Sequence, residues 1–323
     1  MKSTLTVLMI GCLGALATTQ DDASKQFSAQ PGGKIIVDVD FGAIEVTTND
    51  TNQVTVDVWR KVTRSSKEDE EAFLSESPIT FTQDDNVVTV SSHAKSKLKN
   101  WWQGNRRMEG KYTISVPSAF AAQLKTAGGN VTVNDLTGDV KADTSGGGFN
   151  FARLHGNLNA HTSGGSIRVN DCEGPLKVHT SGGGINVGGG SGSLEGETSG
   201  GSVTVRNFRG PAHVESSGGG LTLENVLGKV EGSTSGGSIT AQFSSPPTDE
   251  VKLGTSGGGV TLRVPDSSAF DLDAVTSGGT VQSELPVEGA GKPGRNHLKG
   301  PVNGGGKPVV LRTSGGSIHV KKT

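Results

Sequence analysis

The side chains best suited to chemistry recur at a fixed spacing. His161 and His179 are separated by one 18-residue interval, and the same interval leads on to Glu197 and Glu215. Imidazole and carboxylate can hold a divalent metal, but only where the ligands converge on one point. The four share a face if one turn of the chain is an 18-residue coil, and lie on opposite sides if it is a 36-residue one. A solvated face is the reading adopted, and no metal is assigned. Cys172 falls in a column with Leu136, Leu154, Phe208 and Val226. That column makes it a buried apolar residue, whereas a nucleophile would need an exposed thiolate beside a base. Asp266, Asp271 and Asp273 near Arg263 are acids without a matching base, so no catalytic residue is assigned. The run Gly188 to Gly192 is not followed by Lys and opens no helix, and the glycine corners carry no recurring Asp. Neither a phosphate cradle nor a calcium roll follows, and no cofactor is expected.

One segment could recognise a ligand. "KSKLKNWWQGNRRMEGKY", residues 95–112, sets Trp101 and Trp102 among Lys99, Arg106 and Arg107. Adjacent indoles flanked by cations can dock sugar rings or an anionic envelope polymer by stacking and charge. The competing reading has one or both indoles covering an open end of the solenoid or packing on the N-terminal strands.

The elements that must position these groups are short strands. Thr-Ala-Gly-Gly at Thr126 begins a series that continues as Thr-Ser-Gly-Gly or Ser-Ser-Gly-Gly at Thr144, Thr162, Thr180, Thr198, Ser216 and Thr234. A second ladder, Gly138, Gly156, Gly174, Gly192, Gly210 and Gly228, keeps the same interval. Between them, apolar pairs such as Ile167/Val169 and Leu176/Val178 alternate with polar residues, which is the pattern of a strand with one face inward. One unit cannot bury its own apolar face, whereas stacked units can, so the expected fold is all-β: a parallel β-solenoid of 18-residue repeats. Later copies at Thr255, Thr276 and Thr313 are spaced by 21, 21 and 37 residues, which predicts loops on one rim, the longest at about 286–308. The residue after each Gly-Gly alternates between Gly and Ser, as Gly148, Ser166, Gly184 and Ser202. Like residues thus recur every 36, which favours pairing the repeats into 36-residue, four-strand coils. The Thr column precedes glycine corners, where a hydroxyl bonds to the backbone of its own turn, and this argues against a water-templating face.

The solenoid is expected over 126–323. Before it, alternating segments from Lys34 predict an N-terminal β segment and cap over 34–125 with one helix at 65–77, where a Ser start meets acidic first-turn residues. Residues 18–33 read as a flexible lead-in. "MKSTLTVLMIGCLGALATTQ" has Lys2, a short apolar run and Ala15-Leu16-Ala17, the outline of a signal peptide over 1–17. The alternative takes Met9-Ile10-Gly11-Cys12 as a lipobox, with Cys12 the lipidated first residue. No run is long enough to remain as a membrane span after cleavage. Of 323 residues 50 are Gly and 4% aromatic, which excludes a thick conventional core, and a net charge of −2 excludes a global basic field for nucleic acid.

The "SGG[GS]I" repeats, the alternating strands before them, "KYTISVPS" and the late "GPVNGGGKPVVLRTSGGSIHV" resemble the DUF4097 group of bacterial β-strand-repeat proteins, which carry an adhesin label. The chain is similar also to the related head GIN domain, whose triplet stands here as Gly184-Ile185-Asn186. The resemblance covers about residues 34–323. It implies a β-helical exported protein, periplasmic, on the cell surface or secreted, and no catalytic residues. The expected function is a non-catalytic adhesin-like binding or scaffold module for a cell-surface glycan, an envelope polymer or another protein. A polysaccharide lyase or hydrolase on a β-helix is the alternative.

Overall fold

In the computed structural model, residues 20–63, 66–94, 107–289 and 296–323 are described. Each 18-residue unit gives two short strands that stack in register into two parallel sheets. Sheet A takes Val131–Asn134, Phe149–Ala152, Ile167–Glu173 and their successors; sheet B takes Val140–Thr144, Leu158–Thr162, Leu176–Thr180 and theirs. The inward columns, such as Phe149, Ile167, Ile185, Val203, Leu221 and Ile239, are buried and form one core running along the stack. The solenoid expected from the repeat is therefore the fold.

Its coil is a single repeat and not a pair of them. Ile167 pairs with Ile185, and Ile185 with Val203. The 36-residue reading took like residues to stack on like, but the corner joins unlike residues. The Gly184 N–H donates to Ser166 Oγ of the coil before (3.3 Å), and Gly220 and Gly259 donate to Ser202 and Ser238 at 3.2 Å. On the other side, a Cβ at Gly184 would stand 3.0 Å from the Ser202 carbonyl oxygen, and one at Gly148 only 2.7 Å from that of Ser166. Ser supplies an acceptor to the next coil and Gly leaves room for its carbonyl, so the two alternate between adjacent coils.

Among the described residues, further strands extend the stack at both of its ends. At the N-terminal end β1 (Gln20–Ser28), β2 (Gly33–Val39), β3 (Ala43–Asn49), β4 (Gln53–Thr63), β5 (Thr80–Asp84), β6 (Val87–Ser92), β7 (Arg107–Pro117) and β8 (Phe120–Thr126) extend the two sheets. Here β2 lies between β8 and β6, and β3 lies between Val131–Asn134 and β7. Residues 20–28, expected as a flexible lead-in, form β1, antiparallel to β4 at the edge. Its polar alternation is that of an edge strand whose inward side carries Asp21, Ala23, Lys25 and Phe27, of which Ala23 and Phe27 join the apolar core. The expected helix forms as α1 (Lys67–Glu76), where Ser66 caps the Asp69 N–H at 3.1 Å and Phe73 packs on Phe41 and Val62.

At the other end the stacking order departs from the chain order. Lys307–Thr313 lies between Val251–Thr255 and Phe270–Thr276, so Thr313 stacks on Thr255 and Thr276 on Thr313. The 21-residue intervals do insert loops on one rim, at 244–250 and 265–269. The 37-residue interval instead carries the chain outward through His297–Val302, antiparallel to Phe270–Thr276, before it returns into the stack. The expected loop at 286–308 therefore contains an edge strand.

Candidate functional site

The repeated corner is structural throughout. Thr162 is fully buried; its Oγ1 donates to the Gly147 carbonyl at 2.8 Å and accepts the Gly165 N–H at 3.3 Å. Thr180, Thr198, Thr234 and Thr255 repeat both bonds, and Ser216 supplies the same pair from its own hydroxyl. These hydroxyls are committed to bonds within the wall. The ladder glycines on the opposite rim take positive φ, 145° at Gly156 and 124° at Gly174, beside carbonyls of the coil below.

Chemistry is left to the outward columns. On sheet B one column runs Asp143, His161, His179, Glu197, Glu215, Ser233, Gly254, Arg312. With an 18-residue coil the two histidines are neighbours: their rings stack with centroids 4.9 Å apart, and His179 Nδ1 stands 3.3 Å from the Glu197 carboxylate. The column is straight, so its members stand side by side without converging. Among the described residues no group of three or more His, Cys, Asp or Glu is arranged to hold a metal.

The column dips where Ser233 and Gly254 replace longer side chains, and a Cβ on Gly254 would meet no atom within 4 Å. The dip opens a polar groove of about 490 Å³, walled by His179, Glu197 and Glu215 on one side and Arg312 on the other, with Ser217, Ser235 and Ser256 along its rim. Glu215 and Arg312 are three strands apart, roughly 14 Å at the usual strand spacing. The groove can therefore take a polar ligand with separated hydrogen-bonding ends. Arg312 is fixed from behind: Nη1 donates to the Asp273 carbonyl at 2.6 Å and stands 3.0 Å from its carboxylate. Burial acts to raise the Asp273 pKa, but Arg312, with Lys299 and His297, outweighs it and holds the carboxyl below its ordinary value. Beside the groove, Lys229 and Lys252 each pair with Glu231 and Glu250. The Lys229 hydrogen bond holds the Glu231 carboxyl below the usual range, and Glu231 raises the lysine in return.

Of the residues singled out from the sequence, Lys99, Trp101, Trp102, Arg106 and Cys12 lie outside the described residues. The Arg107 backbone opens β7 opposite Thr63, and its side chain is outside them too. Cys172 is buried, with burial pushing its thiol up and Sγ 3.4 Å from the Asn170 carbonyl. Of the acids near Arg263, Asp271 and Asp273 share one strand face, but the group does not gather around Arg263. Arg263 belongs to sheet A and Asp273 to sheet B, while Asp266 pairs with Lys322 at 2.7 Å.

The family model Toastrack DUF4097 matches residues 33–321. The chain belongs to this family. No curated protein matches this Toastrack chain. Similar solved structures include a putative adhesin from Parabacteroides merdae, 13% identical, with 94% of this chain and 96% of that chain covered and a TM-score of 0.46. A putative adhesin from Bacteroides fragilis is 13% identical over 94% and 97%, TM-score 0.35. A putative lipid binding protein from Parabacteroides distasonis is 13% identical over 94% and 97%, TM-score 0.38.

Two features escaped the sequence reading. The Gly254 groove exists only once adjacent coils are known to be a single repeat apart. The segment "NQVTVDVWRKV" reads as a strand, but its parity puts Val54, Val56, Val58, Arg60 and Val62 inward and Trp59 outward. Arg60 is fully buried, donating from Nη1 to the Ser77 carbonyl and Ser92 Oγ and pairing through Nη2 with Asp21. The alternation in the segment was the signal for both residues.

Proposed function

We propose that this Toastrack chain is an exported, non-catalytic, adhesin-like binding or scaffold protein of the bacterial envelope. The observation that carries the reading is the straightness of the outward columns. They hold polar side chains in register along a rigid wall, with a polar groove over Gly254, and of the acids near Arg263 both Asp266 and Asp273 are paired with cations. Such a wall suits an extended partner, either a cell-surface glycan, an envelope polymer or another protein, through many weak contacts. A leader over 1–17, or anchoring through Cys12, would deliver it to that partner.

The test is an array of glycans, cell-wall polymers and envelope proteins probed with the mature chain and with Trp101→Ala/Trp102→Ala. Retention on array components with no product released from them is the expected result. Unsaturated or reducing-end products would establish the lyase or hydrolase reading instead. Unchanged retention of the double variant removes Trp101 and Trp102 from the binding surface.

A further inference from the structure

We infer that the outer face of β1, β4 and β7 carries a subsite for an uncharged pyranose chain, with Trp59 as its stacking platform. This rests on the binding-protein reading above and names a ligand class and a place. Cross-strand register sets two rows of three across the face: Asp22, Trp59 and Lys111, then Ser24, Asp57 and Thr113. Between them lies an open groove of about 380 Å³ whose walls include Ala23 and Val58. Trp59 is half-buried, so part of its indole remains open. Among the described residues no other Phe, Tyr or Trp stands outward on a sheet face; the rest line the core or pack against it.

The polar neighbours are tied to one another and not to the indole. Lys111 Nζ is drawn to Glu45 at 2.6 Å, toward β3, and Ser24 Oγ donates to Asp57 at 2.6 Å. The indole is thus flanked by groups already fixed in place, which lowers the ordering cost of binding. An apolar ring face with carboxylate acceptors, hydroxyls and an ammonium around it matches a pyranose, which presents a C–H face and an equatorial rim of hydroxyls. Charge selects the class further. With Lys111 neutralised by Glu45, Asp22 and Asp57 leave the rim negative, which disfavours uronic acids, phosphates and sulfates.

The probes are cellohexaose, laminarihexaose and chitohexaose, with polygalacturonate as an anionic comparison and tetramethylammonium as a cationic one. Trp101→Phe/Trp102→Phe leaves Trp59 as the sole indole, so its emission reports on this face. Saturable change in Trp59 emission with at least one hexamer, none with polygalacturonate, and a matching calorimetric isotherm are expected. Trp59→Leu keeps apolar cover and should weaken hexamer binding at least tenfold at an unchanged melting temperature. Asp57→Asn, which preserves the shape of the face, should weaken it several-fold. The inference is overturned if no hexamer binds, if both variants bind like the parent, or if tetramethylammonium alone alters the emission. Retention on the envelope array with no hexamer binding defeats this subsite and leaves the broader reading standing; loss of all array binding defeats that reading as well.

Discussion

The Thr-Ser-Gly-Gly rim and the outward columns of sheet B repeat at the same 18-residue interval, yet they tolerate opposite amounts of variation. At the rim, side chains meet the coil below at carbonyl distance, and each position has one or two residue types that fit. On the outer face the partner is solvent, so His, Glu, Ser, Gly and Arg succeed one another in a single column. Repetition within this chain therefore marks where coils touch. Function is to be sought on the outside, where the repeat is broken, as at Gly254, or absent, as at Trp59.

The sharpest test of that division compares the two glycines of one corner. A Cβ on Gly165 would lie 2.0 Å from the Gly147 carbonyl oxygen, whereas one on Gly164 would lie 3.6 Å from its nearest neighbours. Gly165→Ala must spread two coils and should cost at least about 3 kcal/mol. Gly164→Ala should stay within about 0.5 kcal/mol of the parent. Denaturant melts of the two variants decide it; equal losses would mean that the corner is not held by close stacking.

Next in size is the buried hydroxyl. Thr162→Val keeps the shape but removes the donor to Gly147 and the acceptor for Gly165, which should cost about 1–3 kcal/mol, while Thr162→Ser retains both bonds and most of the stability. The same substitutions at the outward Thr204 should leave the melt unmoved. A smaller effect is expected from the alternation. Gly184→Ser places a Cβ 3.0 Å from the Ser202 carbonyl, and should cost about 1 kcal/mol. Ser166→Gly removes one acceptor at 3.3 Å and should cost about 0.5–1.5 kcal/mol. Restoration of stability in the exchanged pair Ser166→Gly/Gly184→Ser would contradict the unlike pairing of adjacent coils.

The same contrast explains what was legible in the sequence. The inward columns and corners were readable because stacking imposes its demands at every coil, and so leaves a period. The coil length was misread because Gly and Ser alternate for a reason that lies between coils, in a bond from Gly184 to Ser166, and a period alone cannot separate that from like stacking on like. Stacking order was hidden for a related cause: intervals along the chain say nothing of which coil the segment 307–323 enters. The outer-face sites leave no period at all. Trp59 was marked only by its parity against four valines and Arg60, and the Gly254 groove only by what a straight column lacks.

The smallest effect expected is that of acid on the outer face. The Asp273 carboxyl is held below its ordinary value by Arg312, Lys299 and His297 against the opposing effect of burial, and Asp135 is lowered by its hydrogen bonds from Arg153. A group whose folded pKa lies below its unfolded one adds stability that is fully present above the unfolded value and is lost as pH falls through the folded one. Both contributions should therefore be intact at neutral pH and disappear on the acid side of the ordinary carboxylate range. Asp135 is well exposed and its pair with Arg153 is screened by salt, so most of the acid-dependent difference should come from Asp273. Melting curves of the parent and Asp273→Asn should differ at neutral pH and converge in acid, and the difference should survive added salt better than that of Asp135→Asn. The rim carries no carboxylate, so Thr162→Val should shift the curve equally at both pH values. An acid-sensitive Thr162→Val difference would mean that the corner and the face are not the independent layers their side chains describe.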